Sequence, residues 1–353
     1  MRPRYTELLC KSLNQDSLVS NEIEYLLTPY SQDEREALYK SAQIMREQYS
    51  GNLIYTYGFV YLSTICRNDC LFCAWRRSNP NSVRYRKTNA EIVSAAQTLV
   101  DQGVNLIDLT MGEDPDVDKR SYLESTAELI LDVRKRTGVP VMISPGLVPS
   151  YGLALFREAG ALWYACYQET HSPFLFAQLR SGQSYENRWQ AKLEAKKTGL
   201  LVEEGVLCGV GESAKDLANS ILAMKELAAP QVRAMAFVPP PSSPKWMPEK
   251  PSELARQREL DMIAVLRLSF PHTLIPASLD VEGLSGLSDR LTAGANLITS
   301  FVPSDKGLAG VAQNDLDIGN EGRSVQAVLP ILEEMGLTQA TNADYLEKVM
   351  AYA

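Results

Sequence analysis

Eight strands alternating with helices and closing into a parallel barrel is the α/β architecture this chain predicts, on three counts. Its 353 residues exceed one small domain but suit one large barrel with extensions. Eight short apolar, β-branched segments recur, several as unbroken apolar runs of the kind buried on both sheet faces. The stretches between them carry helix start and stop signals. Together these describe a (β/α)8 TIM barrel with an N-terminal helical extension and C-terminal helices; the rival is an open doubly wound sheet.

The expected strands are Tyr57–Thr64, Val104–Thr110, Val139–Ser144, Ala161–Tyr167, Leu201–Cys208, Gln231–Val238, Thr273–Ser278 and Asn296–Phe301. Thr88 with Glu91 forms a capping box, and Gly103 stops the helix that follows. Ser121 with Glu124 repeats the device and ends at Gly138. Ser213 with Asp216 opens another helix, and Pro251-Ser252-Glu253 a further one, with Leu260, Ile263, Ala264 and Leu268 three or four apart. Residues 1–50 read as a helical extension with helices over Glu22–Leu27 and Asp33–Tyr49. Residues 51–318 read as the barrel, and 319–353 as a closing helical segment. The proline run Pro239–Pro244 follows the sixth strand and is expected at the barrel mouth.

Hydrophobic residues at 45% supply a sizeable core, and 22% charged residues is an ordinary globular value, which excludes wholesale disorder. A net charge of −8 argues against nucleic-acid and anionic-membrane partners, which need a basic face. No run approaches the roughly 20 apolar residues of a membrane span. The first residues lack the apolar core of a signal peptide, so the expected location is the cytoplasm.

Half of the six cysteines fall within eight positions, Cys66-Arg67-Asn68-Asp69-Cys70-Leu71-Phe72-Cys73, directly after the first strand. In a reducing compartment such crowding reads as metal binding. A zinc site normally wants four ligands, and the chain has only His171 and His272 with no second cysteine pair. Three thiolates on a short loop can instead hold three irons of a cubane cluster, leaving the fourth open. Cys10, Cys166 and Cys208 are isolated and read as plain thiols.

This C-x3-C-x2-C loop resembles that of the radical S-adenosylmethionine superfamily. Met111-Gly112-Glu113 is similar to its glycine-glycine-glutamate element, and Gly205-Val206-Leu207-Cys208-Gly209-Val210-Gly211-Glu212 to its G-x-I-x-G-x-x-E pattern near the adenine. Longer stretches, Ile107–Pro115, Tyr167-Gln168-Glu169-Thr170, Ile275–Asp280 and Ala293-Gly294-Ala295-Asn296, resemble the methylornithine synthase family within the biotin-synthase-like branch. The resemblance runs from about residue 50 to 335. It implies one [4Fe–4S] cluster on Cys66, Cys70 and Cys73, with S-adenosylmethionine on the open iron and a 5′-deoxyadenosyl radical formed by one-electron cleavage. It also implies Phe72, Glu113, Ser144, Tyr167, Glu169 and Arg188 near the cofactor. Arg180 is expected to pair with Glu169 or the methionine carboxylate. An external reductant such as flavodoxin or ferredoxin is implied as partner. Residues Cys73–Pro80 look less like the family.

The implied reaction is isomerisation of L-lysine to (3R)-3-methyl-D-ornithine, the first step of pyrrolysine biosynthesis. Lysine carries two ammonium groups and one carboxylate. Asp108, Arg233 and Asp280 lie at C-terminal strand ends, where barrel sites are built, and supply two acids and one base. Arg233 can hold a carboxylate through two parallel hydrogen bonds; Ser278 and Thr299 are expected to add hydroxyls. The alternatives are a maturase or synthase of the same branch acting on another small molecule, and a non-enzymatic metal scaffold.

Overall fold

The computed structural model describes residues 1–240, 252–303 and 323–352. The eight expected strands are present, as β1 (Leu53–Ser63), β2 (Leu106–Met111), β3 (Val141–Ser144), β4 (Ala161–Ala165), β5 (Leu201–Cys208), β6 (Gln231–Ala236), β7 (Pro276–Ser278) and β8 (Leu297–Phe301). All pair in parallel, in the order β6-β5-β4-β3-β2-β1-β8-β7, so the sheet curls until β6 and β7 meet. Closure there is one bridge, Gln231 to Leu274, with Val232 N donating to the Leu274 carbonyl at 3.0 Å. β7 is shorter than expected because Pro276, at its start, has no N–H for a ladder. A TIM barrel, nearly closed, replaces the open-sheet alternative.

Three helices precede the barrel: α1 (Pro3–Leu13), α2 (Ser20–Leu26) and α3 (Gln32–Ser50). The first is absent from the sequence expectation. Its signal was Pro3 at the first turn followed by Tyr5, Leu8, Leu9 and Ser12 on one buried stripe. The barrel's own helices are α4 (Asn89–Asp101), α5 (Arg120–Thr137), α6 (Ser150–Glu158), α7 (Pro173–Leu179), α8 (Tyr185–Lys197), α9 (Ala214–Leu227), α10 (Glu253–Ser269) and α11 (Leu287–Thr292). Thr88–Glu91 and Ser213–Asp216 are capping boxes as expected. Ser121 is not a cap: α5 begins one residue earlier behind Lys119, and Glu124 instead pairs with Arg120 at 2.8 Å. Gly138 ends α5 in the left-handed region, at φ 72°. Ser252 caps α10 through Ala255 N at 3.0 Å. Pro251 and Pro241–Pro244 lie outside the described residues, while Pro239 and Pro240 are buried.

The strand pleat sorts side chains between two cores. Facing the barrel axis are Tyr55, Tyr57, Phe59 and Tyr61 of β1 with Leu106, Met142, Trp163, Leu201, Leu274 and Leu297. Their neighbours Ile54, Val60, Ile107, Ile143, Val202, Val232 and Ile298 face the helices. The N-terminal mouth is plugged by the end of the described chain. There α12 (Val325–Glu334) leads to β9 (Thr338–Gln339), which pairs with Leu53 and Ile54, and α13 (Asn342–Met350) sets Tyr345 against Tyr55. Among the described residues no helix is long and apolar enough to cross a membrane.

α10 is sandwiched between the barrel and α3, so its charged residues Glu259, Asp261 and Arg267 are buried, and both acids find partners. Asp261 accepts from Arg35 at 3.1 Å and Tyr39 at 2.8 Å. Glu259 holds Arg290 of α11 through two bonds of 2.9 and 2.7 Å, both side chains 1% exposed. Removing one partner of such a pair strands a buried charge, at a cost of about 3–5 kcal/mol. Glu259→Ala is therefore expected to lower the thermal midpoint by several degrees, read by circular dichroism, whereas Glu194→Ala at the exposed pair with Lys197 changes it little.

Candidate active site

A cavity of about 260 Å3 opens at the C-terminal ends of the strands, and the cysteine loop forms one of its walls. Cys66, Cys70 and Cys73 all line it, together with Phe72, Glu113, Ser144, Tyr167, Glu169, Arg180 and Arg188. Asp108, Arg233, Ser278 and Asp280 line the same space. All the expected site residues except Thr299 thus converge on one cavity.

The cysteine loop is held by backbone contacts to its surroundings. Arg67 N donates to the Glu113 carbonyl at 2.8 Å, Leu71 N to the Leu179 carbonyl at 2.9 Å, and Gly112 N to the Ser63 carbonyl at 2.9 Å. Gly112 must be glycine for a packing reason. A Cβ there would sit 2.4 Å from the Ile65 carbonyl oxygen and 2.9 Å from Cys66 Cβ. Burial pushes the Cys66 and Cys73 thiols up from their usual range. Three thiols with no fourth protein ligand fit a cubane with one open iron.

Polar groups beside the loop suit an amino acid-bearing cofactor. Glu113, 5% exposed, accepts from Arg67 Nε at 2.8 Å and Leu147 N at 2.9 Å, with Arg188 at 3.6 Å. Gly146 lets this carboxylate in, since a Cβ there would lie 2.5 Å from Glu113 Oε2. Glu169 sits at φ 67° and takes Arg180 Nη2 on Oε1 at 3.2 Å. Its other oxygen, buried, accepts no hydrogen bond among the described residues. Burial raises the Glu169 carboxyl, and Arg180 and Arg188 pull it back. Arg180 and Arg188 both donate to the Tyr167 carbonyl, at 3.0 and 2.9 Å. The Arg180 guanidinium lies 4.9 Å over the Phe72 ring. A buried carboxylate oxygen with nothing donating to it is what a cofactor ammonium would need.

Deeper in the barrel the inward pleat presents charges. Asp108, 3% exposed, accepts from Ser144 Oγ at 2.8 Å. Burial raises its carboxyl to about 7 against that hydrogen bond. Ser144 therefore supports Asp108 from within the same cavity. Arg233 is held from below by Glu203, Nε to Oε1 at 2.9 Å, and by the Tyr57 hydroxyl. Burial pushes Glu203 up and Arg233 down. A guanidinium does not lose its proton in proteins, so the contact is an ion pair. Asp280 accepts from Ser278 and Ser300 on Oδ2, at 3.3 and 2.8 Å, and lies 3.1 Å from Arg323 on Oδ1. Among the described residues that Oδ1 accepts no well-aligned hydrogen bond.

Thr299 is fully buried but does not line the cavity. The neighbouring Ser300 takes φ 72°, which breaks the β8 pleat and turns its hydroxyl, rather than that of Thr299, to Asp280. Glu203 and Ser300 went unread in the sequence. The signal for Glu203 was there: two glutamates inside the apolar strand Leu201–Cys208 each demand a cation. Glu204 finds Lys192 on the outer face, which with Gln168 and His171 forms a buried network behind Tyr167. Gly205 then lets the Tyr167 ring approach, a Cβ being 3.0 Å from it.

A model of the radical SAM superfamily matches residues 60–223. The chain is 40% identical over 331 residues to 3-methylornithine synthase of Methanosarcina acetivorans, covering 93% of this chain and 92% of that one. It is 34% identical over 273 residues to the [FeFe] hydrogenase maturase subunit HydE of Thermotoga maritima, covering 76% of each. A crystal structure of methylornithine synthase (PylB) superposes with a TM-score of 0.89 at 39% identity, covering 97% of this chain and 99% of that one.

Mutating the loop's support tests the cluster site. Cys70→Ala and Gly112→Ala are both expected to lose most bound iron and the brown absorbance after anaerobic reconstitution, while Cys208→Ala keeps both. Full iron content in Cys70→Ala contradicts the assignment. The cysteine loop, the fold and the full-length similarity agree that this chain is a radical SAM enzyme of the 3-methylornithine synthase family, using a [4Fe–4S] cluster and S-adenosylmethionine.

Proposed function

We propose that the chain isomerises L-lysine to (3R)-3-methyl-D-ornithine, the opening step of pyrrolysine biosynthesis. The observation that carries this reading is the charge complement of the inner cavity: Asp108 of β2, Arg233 of β6 and Asp280 just after β7, all lining it beyond the cofactor wall. Two acids and one base match the two ammonium groups and one carboxylate of lysine. When bound, the cluster and S-adenosylmethionine supply one-electron cleavage that starts radical chemistry. The protein's own groups bind and orient. Glu203 and Tyr57 pin one side of the Arg233 fork, leaving the rest to take the substrate carboxylate. Asp280, steadied by Ser278 and Ser300, and Asp108, steadied by Ser144, take the ammoniums. At an effective dielectric of 20, each such pair at ~4 Å contributes roughly 4 kcal/mol before desolvation. Glu113, Glu169, Arg180 and Arg188, with Phe72 and Tyr167 as walls, hold the cofactor beside Cys66, Cys70 and Cys73.

The electron comes from an external donor such as flavodoxin or ferredoxin. Support comes from charge: between residues 66 and 87 stand Arg67, Arg76, Arg77, Arg84, Arg86 and Lys87 against the single acid Asp69, in a chain of net −8. Arg84 ties this segment to the cysteine loop, donating to the Trp75 and Arg76 carbonyls at 2.7 Å each. The exposed members Arg77, Arg84 and Arg86 are the ones an acidic donor would meet, Arg76 being buried and Arg67 held by Glu113 and Asp118.

Reduced enzyme incubated with L-lysine and S-adenosylmethionine is expected to yield a product of lysine's mass but a branched skeleton, identified by chromatography against methylornithine. Arg233→Lys weakens lysine binding at least tenfold, because an ammonium cannot reproduce the planar fork. Product formation at wild-type level in that variant contradicts the carboxylate assignment. Lysine affinity should also depend on pH. Asp108 is neutral below about pH 7 and ionised above it, so affinity rises between pH 6 and 8. The Asp108→Asn variant should bind more weakly with that component of the rise removed.

A further inference from the structure

Gln183 lies in the tight turn between α7 and α8, outside the cavity wall and outside every motif considered above. Gly182, at φ 76°, makes the turn possible, and Gln183 N closes it on the Arg180 carbonyl at 3.0 Å. The turn sets two side chains on one sulfur. Gln183 Nε2 donates to Cys70 Sγ at 3.0 Å, and Arg180 Nη1 donates to the same atom at 3.3 Å. The amide oxygen of Gln183 in turn accepts from Arg180 Nη1 and Arg188 Nη1, both at 3.4 Å. One amide thus joins a cluster cysteine to the two arginines that reach Glu169 and Glu113.

We propose that Gln183 sets the reduction potential of the cluster, its amide N–H stabilising negative charge on the Cys70 thiolate. The proposal rests on Cys70 as a cluster ligand, the assignment already made. Reduction adds an electron that is shared with the thiolate sulfurs, and donors aimed at those sulfurs favour the reduced form. The two donors on Cys70 differ in what else they do. Arg180 also lines the cavity and holds Glu169, so cofactor binding engages it directly. Gln183 approaches from behind the cavity, so it acts whether or not S-adenosylmethionine is present. Through its oxygen it also orients Arg180, which makes it a positioning residue as well as a tuning one.

The test is an anaerobic potentiometric titration of reconstituted enzyme, followed by the electron paramagnetic resonance of the reduced cluster, with and without S-adenosylmethionine. Gln183→Leu keeps the bulk and removes the donor. At a fixed potential its reduced-to-oxidised ratio should fall by about tenfold, a 59 mV shift of the midpoint for one electron. Gln183→Glu replaces the donor with a like charge and should fall further. Both shifts should appear without S-adenosylmethionine. Full iron content with a wild-type midpoint in both variants overturns the proposal. Loss of iron in both variants also overturns it, since the residue would then be a structural support. A wild-type protein that binds no cluster would instead defeat the Cys70 assignment, a separate failure.

Discussion

Adjacent residues on a strand cannot face the same way, and in β5 that rule decides where two buried glutamates go. Glu203 points to the axis and meets Arg233; Glu204 points outward and meets Lys192. The inward ion pair lies under the cavity and fixes one edge of a guanidinium. The outward pair lies behind the Tyr167–His171 segment, where Gln168 N and Gly205 N both donate to Glu204, at 2.8 and 2.9 Å. A one-residue slip of β5 would exchange these partners and bury four charges wrongly. The site is therefore locked to the register of its strands, which is where a barrel is least deformable.

Two ends of one cavity follow from that frame. The cofactor end is built largely by loops after β1, β2 and β4, and depends on close approaches such as Gly112 to Ile65 and Gly146 to Glu113. The end proposed for the substrate is built by side chains on the strands themselves, or one or two residues beyond them. Loop-borne thiols can adjust around a cluster, whereas strand-borne carboxylates would hold the proposed zwitterionic substrate in one orientation. The unpaired stretch between β6 and β7 leaves Met235–Val238 and Ser278–Val281 as facing walls of the same space.

Most of the fold was legible because its signals are local. Apolar runs and caps placed every strand within a few residues, and the cysteine spacing gave the cluster loop directly. What stayed hidden depended on long-range or backbone facts. Ser300 displaces Thr299 only because its φ is positive, which no side-chain pattern announces. Arg323 approaches Asp280 from a segment 43 residues later, a pairing that no spacing rule predicts. Glu203 was readable in principle, as a charge in an apolar strand, but its partner is set by barrel closure. α1 was missed because its N-cap, Arg2, lacks a capping side chain, its carboxylate partner being the distant Glu34.

An isomerisation leaves the oxidation state of lysine unchanged, so the hydrogen first removed can be returned and S-adenosylmethionine regenerated. That requires a cavity that keeps the rearranging skeleton in place, which is the role given to Asp108, Arg233 and Asp280. The most direct measurement is turnover of lysine carrying deuterium along its side chain, followed by mass analysis of the S-adenosylmethionine recovered and the methionine released. The account predicts deuterium in the recovered cofactor and far less than one methionine released per product. One methionine per product, with no label in the cofactor, would contradict it.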